Sequence, residues 1–348
     1  MILVDAHLDL AYNAINLGRD LTQTVDAGRQ RVAEHTPEWI AEAGTLTTTL
    51  PEIGLHQPSI VCGTIFILPA DAQTTLDGVA YATPDEAHDQ AWEQLNWYKQ
   101  QCAAGHLHFI DNQQALQAVQ AGALPGLVLL MEGADGLRTP AELIEWHAAG
   151  LRWLGPAWQA TRYAGGTGQP GPFTAAGFEL LGLMQELGVA LDASHLAEES
   201  FWQAIEHFNG PIAASHSNCR SLLAAAEHQD RYLSDAMIKA IIERDGVIGI
   251  ALYNRMLQAD WDGSKNHVNL AHVVAQIEHI CQLAGNSRHV ALGSDLDGGF
   301  GVEMIPAEID RWSDLPKIGQ ALAAHGWQET DIANLMGQNW LRWFQTIL

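Results

Sequence analysis

Positive charge is scarce in this chain. Lys and Arg make up 17 of its 348 residues against 41 Asp and Glu, which gives a formal net charge of −24 and a pI near 4.8. Such an acidic surface repels phosphate backbones and anionic headgroups, so neither nucleic acid nor a membrane surface is an expected partner. An anionic ligand would need a specific Arg or a metal ion to hold it. Long apolar runs are missing as well. None reaches about 18 residues, so no membrane span is expected. The first residues carry no basic leader with a cleavage site. The last nine, Trp340 to Leu348, are too short and too polar for a lipid-anchor tail. The four cysteines (Cys62, Cys102, Cys219 and Cys281) show no C-x-x-C spacing. Without an export signal they are expected to be reduced and structural, and the chain cytoplasmic.

What the chain does have is apolar residues, 47% of the total, enough for a large core. They gather in eight runs of strand length: Ile2–His7, Ser59–Leu68, Gly126–Met131, Gly150–Gly155, Val189–Ala193, Pro211–Ala214, Val247–Leu252 and His289–Gly293. Most are continuously apolar, as parallel strands buried on both faces must be. Helical patterns alternate with them over Pro84–Ala104, Thr139–Ala149, Thr174–Leu187, Glu198–Phe208, Ser234–Arg244 and Leu270–Ala284. Eight βα units in series predict a single (β/α)₈ barrel domain over residues 1–348, with function at the C-terminal ends of the strands. A doubly wound open sheet is the competitor. Its first βα turn usually carries a Gly-rich phosphate loop, and none follows the first strand here. Two connections are long, Asn13–Pro58 and Asn254–Asn269. The first reads as a large insertion and the second as a cover for the barrel mouth.

Residues with metal-binding chemistry recur at the strand ends. The first strand ends in Asp5-Ala6-His7-Leu8-Asp9, where His7 and Asp9 share a side of an extended backbone. The third runs into Glu132-Gly133, the fifth into Asp192-Ala193-Ser194-His195, the sixth into Ser215-His216-Ser217, and the eighth into Gly293-Ser294-Asp295-Leu296-Asp297-Gly298. Singly, each has a plainer account: Glu132 as an exposed turn acid, His195 and His216 as neighbours of helix N-caps, Asp295 or Asp297 as turn formers. Together they gather at one end of a barrel. Three His and two carboxylates exceed what one tetrahedral zinc takes, and suit two metals about 3.5–4 Å apart with one carboxylate bridging them. Such a pair acidifies a shared water enough to yield hydroxide near neutral pH, which implies hydrolysis of a carbonyl-type bond.

This set, in this order, resembles the membrane (renal) dipeptidase family of the amidohydrolase superfamily, and the likeness runs nearly the whole chain. It implies zinc-dependent cleavage of the amide bond of dipeptides by a metal-bridging hydroxide. It further implies two Zn²⁺ per chain, other divalent metals being admissible, with His7 and Asp9 on one, His195 and His216 on the other, and Glu132 bridging. Asp295 would carry the proton from water to the leaving amine. Arg231, rather than Arg220, matches the family's Arg for the substrate carboxylate, where a planar guanidinium pairs bidentately. A homodimer is compatible with the family's habits. One departure stands out. Family dipeptidases carry a His at the end of strand four, against the scissile carbonyl, whereas here Trp158 occupies that place. An indole N–H donates a hydrogen bond but neither accepts a proton nor bears charge. That keeps other activities open, namely deacylation of N-acyl amino acids, hydrolysis of cyclic amides, or a metal-binding protein that has lost catalysis. The following segment, Arg162 to Gly168, reads equally as a pocket wall or a plain loop.

Overall fold

The structure, a computed structural model, describes residues 1–348 except 73, 75, 77, 78 and 123, and the side chains of 33 and 34. Eight parallel strands form its centre: β1 (Leu3–Leu8), β2 (Ser59–Phe66), β3 (Gly126–Glu132), β4 (Leu151–Gly155), β5 (Ala190–Asp192), β6 (Ile212–Ala213), β7 (Ile248–Ile250) and β8 (Val290–Leu292). Neighbours in sequence are neighbours in space from β1 to β6; β7 pairs with β8, and β8 returns to β1. The remaining seam, between β6 and β7, is closed by a parallel bridge from Ala214 to Ile248. Ala214 and Val247 share a 2.9 Å hydrogen bond there, and Gly249 and Ala214 one of 2.8 Å. This is the (β/α)₈ barrel expected from the alternation of apolar runs and helical patterns. A short strand at His108–Phe109 extends the sheet beside the start of β3.

Side chains divide by strand parity, as the pleat requires. Val4, Ala6, Cys62, Val128, Leu130, Trp153, Ala190, Ala213 and Ala291 form one cluster inside the barrel, continuous with Trp340, Trp343 and Phe344. The C-terminal helix Asn339–Phe344 thus supplies that interior cluster with rings, Trp343 meeting Trp153 at 4.6 Å between centroids. The alternate residues, among them Leu3, Val61, Leu127, Leu129, Leu154, Leu191, Ile212, Ile250 and Leu292, pack outward in the cluster shared with the surrounding helices. Helix boundaries follow local chemistry. Thr83 caps Pro84–Ala103 with a capping box closed by Glu86, and Ser234 caps Asp235–Glu243. The helix expected from Thr139 opens instead as a 3₁₀ turn, Pro140–Glu142, before the α-helix Leu143–Ala148.

Parity alone would put His7 and Asp9 on the outer face, with Leu3 and Asp5. A β-bulge prevents this. Register passes from Asp5↔Val61 to Leu8↔Gly63, so three steps along β1 match two along β2. The extra residue re-aims His7 toward the barrel mouth, a common use of bulges beside active sites. The two long connections are partly structured. Asn13–Pro58 contains the helices Val25–Gln30, Pro37–Ala43 and Leu50–Gly54, and Asn254–Asn269 contains 3₁₀ turns at Asn254–Met256 and Lys265–His267. Among the described residues no helix is long and apolar enough to cross a membrane.

Two inward glycines make room at the closing seam. A Cβ on Gly249 or Gly293 would lie 1.9 or 1.8 Å from the Ser215 carbonyl oxygen, a backbone atom that cannot swing away. Gly293→Ala should therefore displace the β6 end and its His216. We expect a loss of stability of about 1–3 kcal/mol, the usual cost of overpacking, read as a lowered denaturant midpoint. An unchanged midpoint would show that the seam has slack.

Candidate active site

Three imidazoles surround one carboxylate at the C-terminal end of the barrel. Glu132 ends β3, and its side chain is almost fully buried. Its Oε2 lies 3.3 Å from His7 Nε2, while Oε1 lies 3.0 Å from His195 Nε2 and 3.4 Å from His216 Nε2. The two oxygens are thus divided between His7 on one side and the His195–His216 pair on the other. The pair's Nε2 atoms are 3.0 Å apart. Asp9 Oδ2 and Asp295 Oδ1 each lie 3.9 Å from His7 Nε2. The structure brings all six expected residues together.

Each imidazole is held by its other nitrogen. Ser215 Oγ donates to Asp192 Oδ2 at 2.5 Å, which leaves its lone pairs for N–H groups of His216 Nδ1 at 2.8 Å and His7 Nδ1 at 3.3 Å. Thr167 Oγ1 lies 2.9 Å from His195 Nδ1. These contacts favour the tautomer whose Nε2 lone pair faces Glu132, the arrangement of metal-bound His. Thr64 Oγ1 similarly bonds Asp9 Oδ1. His195 and Asp295 have φ of 65° and 61°. Non-Gly residues in this region cost of order 1–3 kcal/mol each and concentrate at functional sites.

Burial sets the electrostatics. It pushes the Glu132 carboxyl up to about 8, opposed by the Arg231 charge, and Asp9 up to about 6, reinforced by Glu132. Asp295 is raised well above the carboxylate range, again mainly by burial. The same desolvation takes His195 and His216 far below their usual value, so both are neutral and able to coordinate. His7 Nε2 is buried with no hydrogen-bond partner among the described residues. Two donor groups meet metal-ligand spacing, His7–Glu132–His216 and His7–Asp9–Asp295. Donors about 2.0–2.2 Å from one tetrahedral ion lie roughly 3.3–3.6 Å apart, and the His7–Glu132 and His216–Glu132 distances of 3.3 and 3.4 Å fit this. An orphaned imidazole nitrogen, neutral His rings and clustered acids are a donor set suited to divalent cations.

Arg231 lies in the 3₁₀ turn Gln229–Arg231 and is buried. It does not pair with Asp230 or Asp235 on the surface: Asp230 accepts from Gly168 N at 2.7 Å and Asp235 pairs with His279 at 2.8 Å. Arg231 instead donates to the His216 carbonyl at 2.9 Å and to Ser217 Oγ at 3.2 Å; burial lowers its pKa from the usual guanidinium value, opposed by the Asp295 and Glu132 charges. Arg220 is engaged elsewhere, 2.5 Å from Glu198. Asp297 is kept from the metal-type donors by its own partners. It accepts from Thr47 N at 2.9 Å and Thr48 N at 2.8 Å, lies 3.8 Å from Arg19, and so fastens the insertion after β1 to the end of β8. Trp158 is near the mouth, its ring 6.2 Å from that of His195. Sequence reasoning missed Ser215, Asp192, Thr64 and Thr167. Ser215 and Asp192 lie inside the very motifs that drew attention to the two His, which was the available signal.

Fold and site together define a metal-dependent hydrolase on a (β/α)₈ barrel. The chain belongs to the membrane dipeptidase family, peptidase family M19, whose model matches residues 1–347. It is 32% identical over 75% of its length to an uncharacterised protein of the pqqA 5′ region of Klebsiella pneumoniae, spanning 97% of that protein. It is 27% identical over 62% of its length to an uncharacterised dipeptidase of Schizosaccharomyces pombe, spanning 52% of that protein. In fold it is similar to dipeptidase AC, an M19 metallopeptidase (TM-score 0.80, 23% identity, 100% of this chain and 98% of that one). It is equally similar to a Rhodobacter sphaeroides metallopeptidase (TM-score 0.79, 22% identity, 100% and 99%).

Glu132→Gln removes the one charge that His7, His195 and His216 face in common. If Glu132 is shared between two ions, metal retained by the purified protein should fall from about two per chain towards one. Two tightly held ions in the variant, by elemental analysis, would contradict the shared role of Glu132.

Proposed function

We propose that this chain is a dizinc dipeptidase, acting as one catalytic domain over residues 1–348. His7 and Asp9 would hold one ion, His195 and His216 the other, and Glu132 both. Bound there, the two ions would supply Lewis acidity and lower the pKa of water at the site. The observation that carries the peptide reading is Arg231, a buried guanidinium hydrogen-bonded to the backbone of His216. In a chain with a net charge of −24, a cation kept dry beside the donor set has a specific anion to receive. Its remaining N–H groups suit the C-terminal carboxylate of a short peptide. The R. sphaeroides metallopeptidase was crystallised with a phosphinate mimic of the dipeptide L-Ala-D-Ala, which supports the same substrate class.

With the carboxylate on Arg231, the scissile amide lies over Glu132. Asp295, 3.9 Å from His7 Nε2, takes a proton from the attacking water as its oxygen bonds to the carbonyl carbon. It returns that proton to the amide nitrogen as the C–N bond breaks, releasing two amino acids. Trp158 cannot share in this transfer, because an indole only donates. Proton handling therefore rests on Asp295, and Arg231 fixes the register of the substrate along the mouth.

The test compares a dipeptide with its C-terminal amide. Arg231→Met should raise KM for the free acid and lower its kcat/KM by about ten- to a hundred-fold, the effect of losing a charge-assisted hydrogen bond. The amide should change little. Equal losses on both, or no loss on either, would remove Arg231 from this role.

A further inference from the structure

Opposite Arg231 the mouth is walled by aromatic rings. We propose that Trp158 and Phe66 form the pocket for the substrate's N-terminal side chain and select a bulky apolar residue there. This rests on the dipeptidase reading above and narrows it to a substrate class. Phe66 is the last residue of β2 and pairs in register with Glu132. Paired residues in adjacent strands leave the sheet on the same side, so the Phe66 ring and the Glu132 carboxylate emerge together. On the other flank Gly155 of β4 pairs with Glu132. Three residues later the chain returns Trp158 towards β3, where a Cβ on Gly133 would lie 3.5 Å from the Trp158 Cβ. The two rings meet edge to face with centroids 5.1 Å apart. Trp158 also neighbours His195 at 6.2 Å, and Tyr12 backs Phe66 at 5.2 Å.

The two rings are backed by apolar side chains. Tyr12 and Phe66 belong to one buried cluster with Leu17, Leu68 and Val79, and Trp158 packs against it. Trp158 is only partly buried. Its place in the barrel fixes which part of a substrate it meets. β2 and β6 are four strands apart in the closed order of eight, hence on opposite sides, and Arg231 is tied to the end of β6 through His216 and Ser217. A dipeptide with its carboxylate on Arg231 and its amide over Glu132 directs its first residue towards β2–β4, where it encounters ring surface. A Gly there leaves the rings uncovered, while Leu or Phe covers them. In a hydrophobic pocket one missing methylene already costs about ten-fold or more in discrimination.

The experiment measures binding, so it does not depend on turnover. Two phosphinate dipeptide mimics with the same C-terminal residue, one with Gly and one with Leu at the N-terminal position, are titrated calorimetrically into the zinc-loaded protein. The native chain should bind the Leu mimic at least about ten-fold tighter than the Gly mimic. Trp158→Ala should bring that ratio to within about two-fold of unity. Trp158→His, which keeps a ring in place but a polar one, should also lose it, and Trp158→Phe should retain it. The two ring-preserving variants keep the test valid if the Ala variant folds poorly. A native ratio near one, or a ratio that survives both Trp158→Ala and Trp158→His, overturns the pocket assignment while leaving the dipeptidase reading intact. Failure of the native protein to bind either mimic overturns that reading and the pocket with it.

Discussion

The structure depends on one interaction, a buried carboxylate that three imidazoles approach at once. Glu132 meets His7, His195 and His216 at 3.0–3.4 Å. Such a carboxylate is costly to ionise in a dry cavity, which is why burial drives it up to about 8. Asp9 and Asp295 crowd the same space; His7 opposes the effect of burial on both, and Arg231 that on Asp295 and Glu132. An acid-rich cavity of this kind is stable as a charged unit when divalent cations complete it. Metal binding and the integrity of the mouth are therefore expected to be linked, since a ligand that binds only the folded state stabilises it by mass action.

The barrel is shaped to hold that group. A bulge in β1 turns His7 inward, two glycines let the Ser215 backbone cross the interior, and one serine hydroxyl orients two imidazoles while bonding Asp192. Farther out, Asp297 and Arg19 clamp the insertion after β1 to the end of β8. Arg19 also donates to the carbonyls of Ala43 at 2.8 Å and Gly44 at 2.6 Å. The acids that follow β8 consequently divide their labour, Asp295 facing the cavity and Asp297 securing the rim.

Much of this was legible in the chain. Apolar runs, most of them continuous, marked all eight barrel strands, because strands buried on both faces have little polar side to blur the signal. The residues at their C-terminal ends marked the site, because a barrel brings those ends to one rim. The illegible part lay in local geometry. An alternating pattern would have kept His7 on the face of Leu3 and Asp5, and a one-residue bulge leaves no trace in composition. Thr64 and Thr167 are ordinary hydroxyl residues until the fold sets them against Asp9 and His195. The C-terminal rings, in a segment too short and polar for an anchor tail, are packed into the barrel's inner cluster. That Arg231, flanked by Asp230 in sequence, is buried rather than paired on the surface is likewise set by the fold.

The central claim is that Glu132 sits between two metal ions. Anomalous diffraction at the zinc edge on crystals of the native chain, loaded with zinc and washed free of excess, tests it most directly. The account predicts two full-occupancy peaks about 3.5–4 Å apart, one against His7 and Asp9, the other against His195 and His216, with Glu132 touching both. A single peak, or peaks away from Glu132, would contradict it.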